Sequence, residues 1–249
     1  MAQMYEHSTY IQLYEICTVR SRYGKWNTGN PWSSSSHTLP REVTWHPELR
    51  QLVFSPLEEQ AALRGAIIGH LTPQPLAAGT ILSLGLPAML GNQSELNVSF
   101  ARPSSACTLM VRFMADHADS RSGSSCSINY LPPPADIAAV DCDGYKHQLK
   151  LSPSDTTIQV QVFVDNVFSE AYFQGGRVVM TLPAQPCVIC GMYVSASGSD
   201  VTLVSATVHR VNSIWVAPAD VLRAERPDNG DSPLMVARID REQRGGDTA

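Results

Sequence analysis

The sequence predicts an all-β protein built around a two-sheet β-sandwich. Residues 158–182 read as consecutive antiparallel strands, and apolar runs of similar length recur between turn-forming residues from Ala66 to Val216. The composition agrees: charged residues are only 16% of the chain, while 16 glycines and 17 prolines suit short strands and turns better than helices.

The stretch at 158–182 is the clearest. Ile158, Val160, Val162 and Val164 alternate with Gln159, Gln161 and Phe163, the period-two pattern of a half-buried strand. Asp165-Asn166 supplies a turn, because both residues tolerate left-handed backbone angles. Val167 to Phe173 returns, Gln174-Gly175-Gly176 turns again, and Val178, Val179 and Met180 run out. Burying the aliphatic side chains of the first of these strands contributes about 1.5–3 kcal/mol each.

Taken in order, Tyr10 to Val19 alternates aromatic and aliphatic residues and reads as a strand. Arg20 to Ser36 is a polar loop carrying Trp26 and Trp32, followed by Thr38 to Val43 and a strand at Leu49 to Phe54. Ser55-Pro56-Leu57-Glu58-Glu59 predicts a helix: Ser55 caps, Pro56 takes the first helical position, Glu58 completes a capping box and Gly65 stops it. A domain boundary follows at about residue 65. Strands are then expected at 66–71, 80–84, 95–101, 107–114, 125–131, 145–151, 187–196 and 201–211, besides the central three. The apolar register of the last strand shifts between Leu203 and Val204, which predicts a bulge or burial on both faces. Beyond Pro218 the chain turns polar and a frayed end is expected.

A net charge of −5 without a basic cluster argues against a nucleic-acid partner. No apolar run approaches the roughly 20 residues that span a bilayer, so no membrane partner is expected. The N-terminal MAQMYEHSTYIQLYEICTV lacks the basic and apolar regions of a signal peptide. No cofactor and no metal site is expected, since the histidines are scattered and Cys187-Val188-Ile189-Cys190 is a single cysteine pair. On a strand its thiols would point to opposite faces, so buried free thiols are the expectation. Among Cys107, Cys126 and Cys142 one pair could form a disulfide, the pairing being open. Asn92 and Asn97 head N-glycosylation triplets. Trp26 and Trp32 are candidates for stacking on a sugar ring, against packing in the interior. Asp165 and Glu170 flank one hairpin; ordinary turn chemistry explains them better than an acid/base pair.

FVDNVFSEAYFQGGRVVMT resembles the signature of the C-terminal β-sandwich of glycoside hydrolase family 32, the invertases, inulinases and levanases. Asp165, Glu170, Gly175, Gly176 and Arg177 fall on the matching positions of its V-D-x-S-x-x-E strand pair and N/Q-G-G-R-type turn, with Val167 where that family usually has Ser. The Trp-containing loop and Leu39-Pro40-Arg41-Glu42 resemble the last blade of its catalytic five-bladed β-propeller, and the short helix resembles its linker. VHRVNSIW is similar to its closing strand.

The resemblance implies the remnant of a last blade at 1–54, a linker helix at 55–65, the C-terminal sandwich at 66–217 and a polar tail at 218–249. The parent reaction it implies is hydrolysis of terminal β-D-fructofuranosides in sucrose or fructans, in a protein that is secreted or vacuolar. The family's W-M-N-D-P-N-G, R-D-P and E-C motifs, which carry the nucleophile, the stabilising Asp and the acid/base, do not occur in this sequence. No catalytic residue is therefore expected, and the chain alone should be hydrolytically inactive, reaching sucrose or fructan only when a propeller is supplied. The alternative is a stand-alone, non-catalytic β-sandwich that binds carbohydrate or stabilises a partner.

Overall fold

Alternation in the sequence becomes alternation in burial. The computed structural model describes residues 35–212, apart from 89, 119–122, 166–167, 184–186 and 188, together with short strands at 13–15 and 18–20. The chain divides into two compact units, Met1–Asn212 and Ser213–Ala249, and every described residue belongs to the first. Trp26, Trp32 and the tail lie outside the described residues.

The N-terminal strands are β1 (Leu13–Glu15), β2 (Thr18–Arg20), β3 (Ser35–His37), β4 (Arg41–His46) and β5 (Gln51–Pro56). A 3₁₀ turn at Glu58–Leu63 leads to β6 (Arg64–Leu71), β7 (Gln74–Leu76), β8 (Ile81–Ser83) and β9 (Gln93–Ala101). Next come β10 (Cys107–Ala115), β11 (Ser124–Leu131), β12 (Ile137–Cys142) and β13 (Tyr145–Leu149). The central meander is β14 (Thr157–Asp165), β15 (Phe168–Phe173) and β16 (Val178–Pro183), and β17 (Gly191–Ser197) and β18 (Val201–Val211) close the chain of strands.

Two antiparallel sheets form the sandwich. One runs β13-β12-β11-β10-β17-β8; the other runs β16-β15-β14-β9-β18-β6, with β7 also on β18. Between them lies one core. Ile158, Val160, Val162 and Val164 of β14 are at most 2% exposed, and Leu109, Val111 and Phe113 of β10 belong to the same cluster. The β18–β9 register shifts between Leu203 and Ser205, which is the bulge read from the sequence. A smaller antiparallel sheet, β1-β4-β5, precedes the sandwich, and β2 pairs with β3.

Three expectations are corrected. The predicted helix is a 3₁₀ turn with no side-chain cap, because Ser55 still belongs to β5 and donates its hydroxyl to the Gly175 carbonyl at 2.8 Å. The strand expected at 187–196 starts only at Gly191, and Cys190 takes a left-handed φ of 57°. With the strand geometry gone, Cys187 and Cys190 are disulfide-bonded rather than free. Strands β7 and β12 complete the sheets without having been expected. β12 places Cys142 directly opposite Cys126, and these form the other disulfide; Cys107 is a buried free thiol whose ionisation burial pushes upward.

Candidate functional site

The chemistry of the described residues concentrates on the outer face of the sheet that carries the meander. Core residues of β14 point inward, so Gln159, Gln161 and Phe163 point outward. Antiparallel register then sets cross-strand rows. His209, Glu95, Phe163, Glu170 and Thr181 form one row across β18, β9, β14, β15 and β16. Thr207, Asn97, Gln161, Tyr172 and Val179 form the next. Two buried carboxylates stand in the first row, separated by Phe163.

Glu170 is fully buried, and a buried carboxylate must be paired and hydrogen-bonded. Its donors come largely from the small sheet. Arg41 Nη2 donates to Oε2 at 3.0 Å and the Leu39 N–H to Oε1 at 2.8 Å, while Tyr172 adds its hydroxyl at 2.6 Å. Arg41 also donates to the Tyr172 and Thr181 hydroxyls and lies over the Tyr172 ring. Burial opposes the charge on Arg41, but Glu170 and Tyr172 outweigh it and hold the guanidinium above its ordinary value. Burial beside Glu170 likewise pushes the Tyr172 phenol upward, so it stays a neutral donor.

The glycine turn after β15 makes the second contact with the small sheet. Gly176 has φ 102°, and a Cβ there would stand 2.2 Å from the Phe54 carbonyl oxygen of β5. Only glycine allows that approach. Arg177 follows and donates Nη2 to Asp155 Oδ1 at 3.0 Å, anchoring the turn to the loop before β14. That loop reaches back to the hairpin, where the Ser152 hydroxyl donates to Glu48 Oε2 at 2.7 Å.

Glu95, 1% exposed, is held differently. Arg64 embraces it through Nε and Nη2, both at 2.7 Å, and the amides of Asn97 and Gln161 donate to its Oε1 at 2.8 and 2.7 Å. Burial alone would raise its pKa; these four donors hold it below the ordinary carboxylate value.

Of the residues singled out in the sequence, Glu170, Gly175, Gly176 and Arg177 come together against β4 and β5. Asp165 lies at the exposed end of β14, and the ladder pairs it with Phe168, whereas Glu170 faces Phe163. Glu170 is instead committed to Arg41, as a clamp between segments 129 residues apart. Asn97 sits in a central strand with its amide on Glu95, and Asn92 closes the 3₁₀ turn Leu90–Asn92. Sequence reading missed Tyr172, Glu95 and Arg64, since no spacing signals a partner so far away in sequence. The available hint was a charged residue in a strand otherwise set for burial. Among the described residues no group of three or more His, Cys, Asp or Glu side chains is placed to hold a metal, and no helix is long and apolar enough to cross a membrane.

No protein-family model and no curated protein matches the sequence. Solved structures do. Fructan 1-exohydrolase IIa from Cichorium intybus superposes with a TM-score of 0.62 at 14% identity, over 72% of this chain and 42% of the other. Exo-inulinase from Aspergillus awamori gives 0.61 at 16% identity, over 82% and 41%. Sucrose-6-phosphate hydrolase from Lactobacillus gasseri gives 0.52 at 16% identity, over 81% and 39%. The chain has the fold of glycoside hydrolase family 32 structures. What it shares with the family-32 proteins at this identity is the fold, and it spans about two fifths of their length.

Proposed function

We propose that this chain is the C-terminal region of a family-32 β-fructofuranosidase-like protein, in which β1, β4 and β5 end the last propeller blade and the sandwich braces it. One observation carries the reading. The two segments that resemble the family, Leu39 to Glu42 and the meander, meet in the buried Arg41–Glu170 ion pair, side chains 8% and 0% exposed. The parent reaction is hydrolysis of terminal β-D-fructofuranosides in sucrose or fructans, which in a retaining enzyme needs two carboxyl groups about 5–5.5 Å apart. Neither motif that supplies them occurs in this sequence, and Glu170 is already engaged by three donors. The chain by itself is inactive and acts by completing a propeller. Trp45 and Leu52, paired across β4 and β5 and 58% and 49% exposed, are the surface on which a preceding blade packs.

Two measurements test this. The purified chain should release no fructose from sucrose or inulin, with Glu170→Gln indistinguishable from it; release that disappears in Glu170→Gln would overturn the proposal. Co-expressed with a family-32 propeller, the chain should co-elute with it, and the double change Trp45→Asp and Leu52→Asp should abolish co-elution. Co-elution that ignores both changes would mean that the blade surface is not the contact.

A further inference from the structure

We infer that the open part of the same sheet face is a binding groove for a neutral sugar residue. A hollow of about 230 Å³ lies there, lined chiefly by Asn97, Ser99, Gln159, Gln161, Ser205 and Tyr172. It is smaller than the roughly 300–1,000 Å³ of drug-sized sites and so suited to a single ring. Ser99 stands opposite Gln159 on one side and Ser205 on the other, and Asn97 stands opposite Gln161 and Thr207, so amides and hydroxyls form adjoining rows.

Glu95 separates this arrangement from a merely solvated sheet. Burying a carboxylate is costly, and exposed amides need no buried anchor. Here Oε1 of Glu95 takes the amide N–H groups of both Asn97 and Gln161, while Arg64 fixes the carboxylate from behind. A carboxylate only accepts, so both amides must turn their nitrogens to it. Asn97 Oδ1 and Gln161 Oε1 are thereby set as the other ends of two side chains that line the groove. The serine hydroxyls beside them donate and accept. Vicinal hydroxyls of a sugar match such a set of fixed acceptors and adaptable hydroxyls. No Lys, Arg, Asp or Glu lines the hollow, so a phosphate or carboxylate ligand meets no counter-charge. The Tyr172 ring is 1% exposed and offers no stacking face, which makes recognition a matter of hydrogen bonds and the affinity weak.

The inference stands apart from the proposed partnership with a propeller and is tested on the full chain alone. Side-chain amide signals in a nitrogen-15 correlation spectrum are followed while fructose, sucrose and, separately, inorganic phosphate are added. Fructose or sucrose should shift the Asn97, Gln159 and Gln161 amides saturably, and phosphate should not. Ser205→Ala and Gln161→Met should each weaken binding about five- to tenfold, the weight of one hydrogen bond. Glu95→Gln should weaken it as well although Glu95 does not line the groove; the main-chain spectrum reports whether each variant remains folded. Absence of saturable shifts up to the solubility of the sugars, shifts indifferent to Ser205→Ala, or an equal response to phosphate would each overturn the assignment. Failure here leaves the co-elution and hydrolysis outcomes untouched.

Discussion

Glu170 and Glu95 occupy one cross-strand row of one sheet face, both are buried and both face an arginine, yet they do different work. Glu170 takes its arginine from β4 and is sealed beneath it, with Arg41 only 8% exposed. It is a clamp between the small sheet and the sandwich. Glu95 takes its arginine from the start of β6, and Arg64 stays 38% exposed. It leaves the surface open and sets the posture of two amides. The partner, more than the carboxylate, decides whether a buried charge closes a joint or arranges a surface.

The largest effect expected from breaking this symmetry is at the clamp. Arg41→Ala should cost about 3–5 kcal/mol in urea unfolding, because Glu170 is left buried without its counter-charge. Replacing both Arg41 and Glu170 with methionine should recover most of that loss, since an apolar pair requires no desolvated charge. If the double variant is as unstable as Arg41→Ala, the clamp is held by shape instead of charge. Arg64→Ala should cost only about 1 kcal/mol, because solvent already screens that guanidinium and the two amides remain.

A second change opens the joint without touching any charge. Gly176→Ala places a methyl group against the Phe54 carbonyl and strains a φ of 102°. It should lower stability by about 1–3 kcal/mol and loosen β5 from the turn, seen as faster amide exchange along β5. The corresponding exchange around Glu95 should not change.

The sandwich was legible in the sequence because period-two apolarity survives any tertiary context; β14 runs buried and outward in the order its valines and glutamines prescribe. The Gln174-Gly175-Gly176 turn was legible for a similar local reason. The stretch at 55–65 was misread because the Ser55 hydroxyl had two possible partners, an N–H of its own helix to accept from and the Gly175 carbonyl to donate to, and only the second is a matter of tertiary structure. The Cys187–Cys190 bond was missed because strand propensity was assigned to a loop. Neither glutamate could be assigned its role from the sequence. Arg41 is 129 residues from Glu170 and meets it only where two sheets come together, and Glu95 is 66 from Gln161 and meets it only through strand register.

The smallest effect, and the one most specific to Glu95, is in the dependence on pH. Glu95 is depressed below its ordinary value in the folded chain, despite burial, by Arg64, Asn97 and Gln161. The unfolded chain therefore binds that proton first as the pH falls, and stability rises with pH across this window. The contribution of Glu95 is complete above the unfolded value of about 4.3 and is lost as the pH drops through the depressed folded value. Asp155, depressed against its own burial by Arg177 and the Ser152 N–H, adds a loss of the same sign. Urea midpoints should thus fall between about pH 5 and about pH 3, and more steeply in the native sequence than in Glu95→Gln. In the same acid window the Asn97 and Gln161 amide signals should shift, because protonating Glu95 removes the charge that both amides hydrogen-bond, and in Glu95→Gln that pH dependence should be gone. An unchanged pH dependence in Glu95→Gln would mean that Glu95 does not set the posture of those amides, and the distinction between clamp and surface would have to be abandoned.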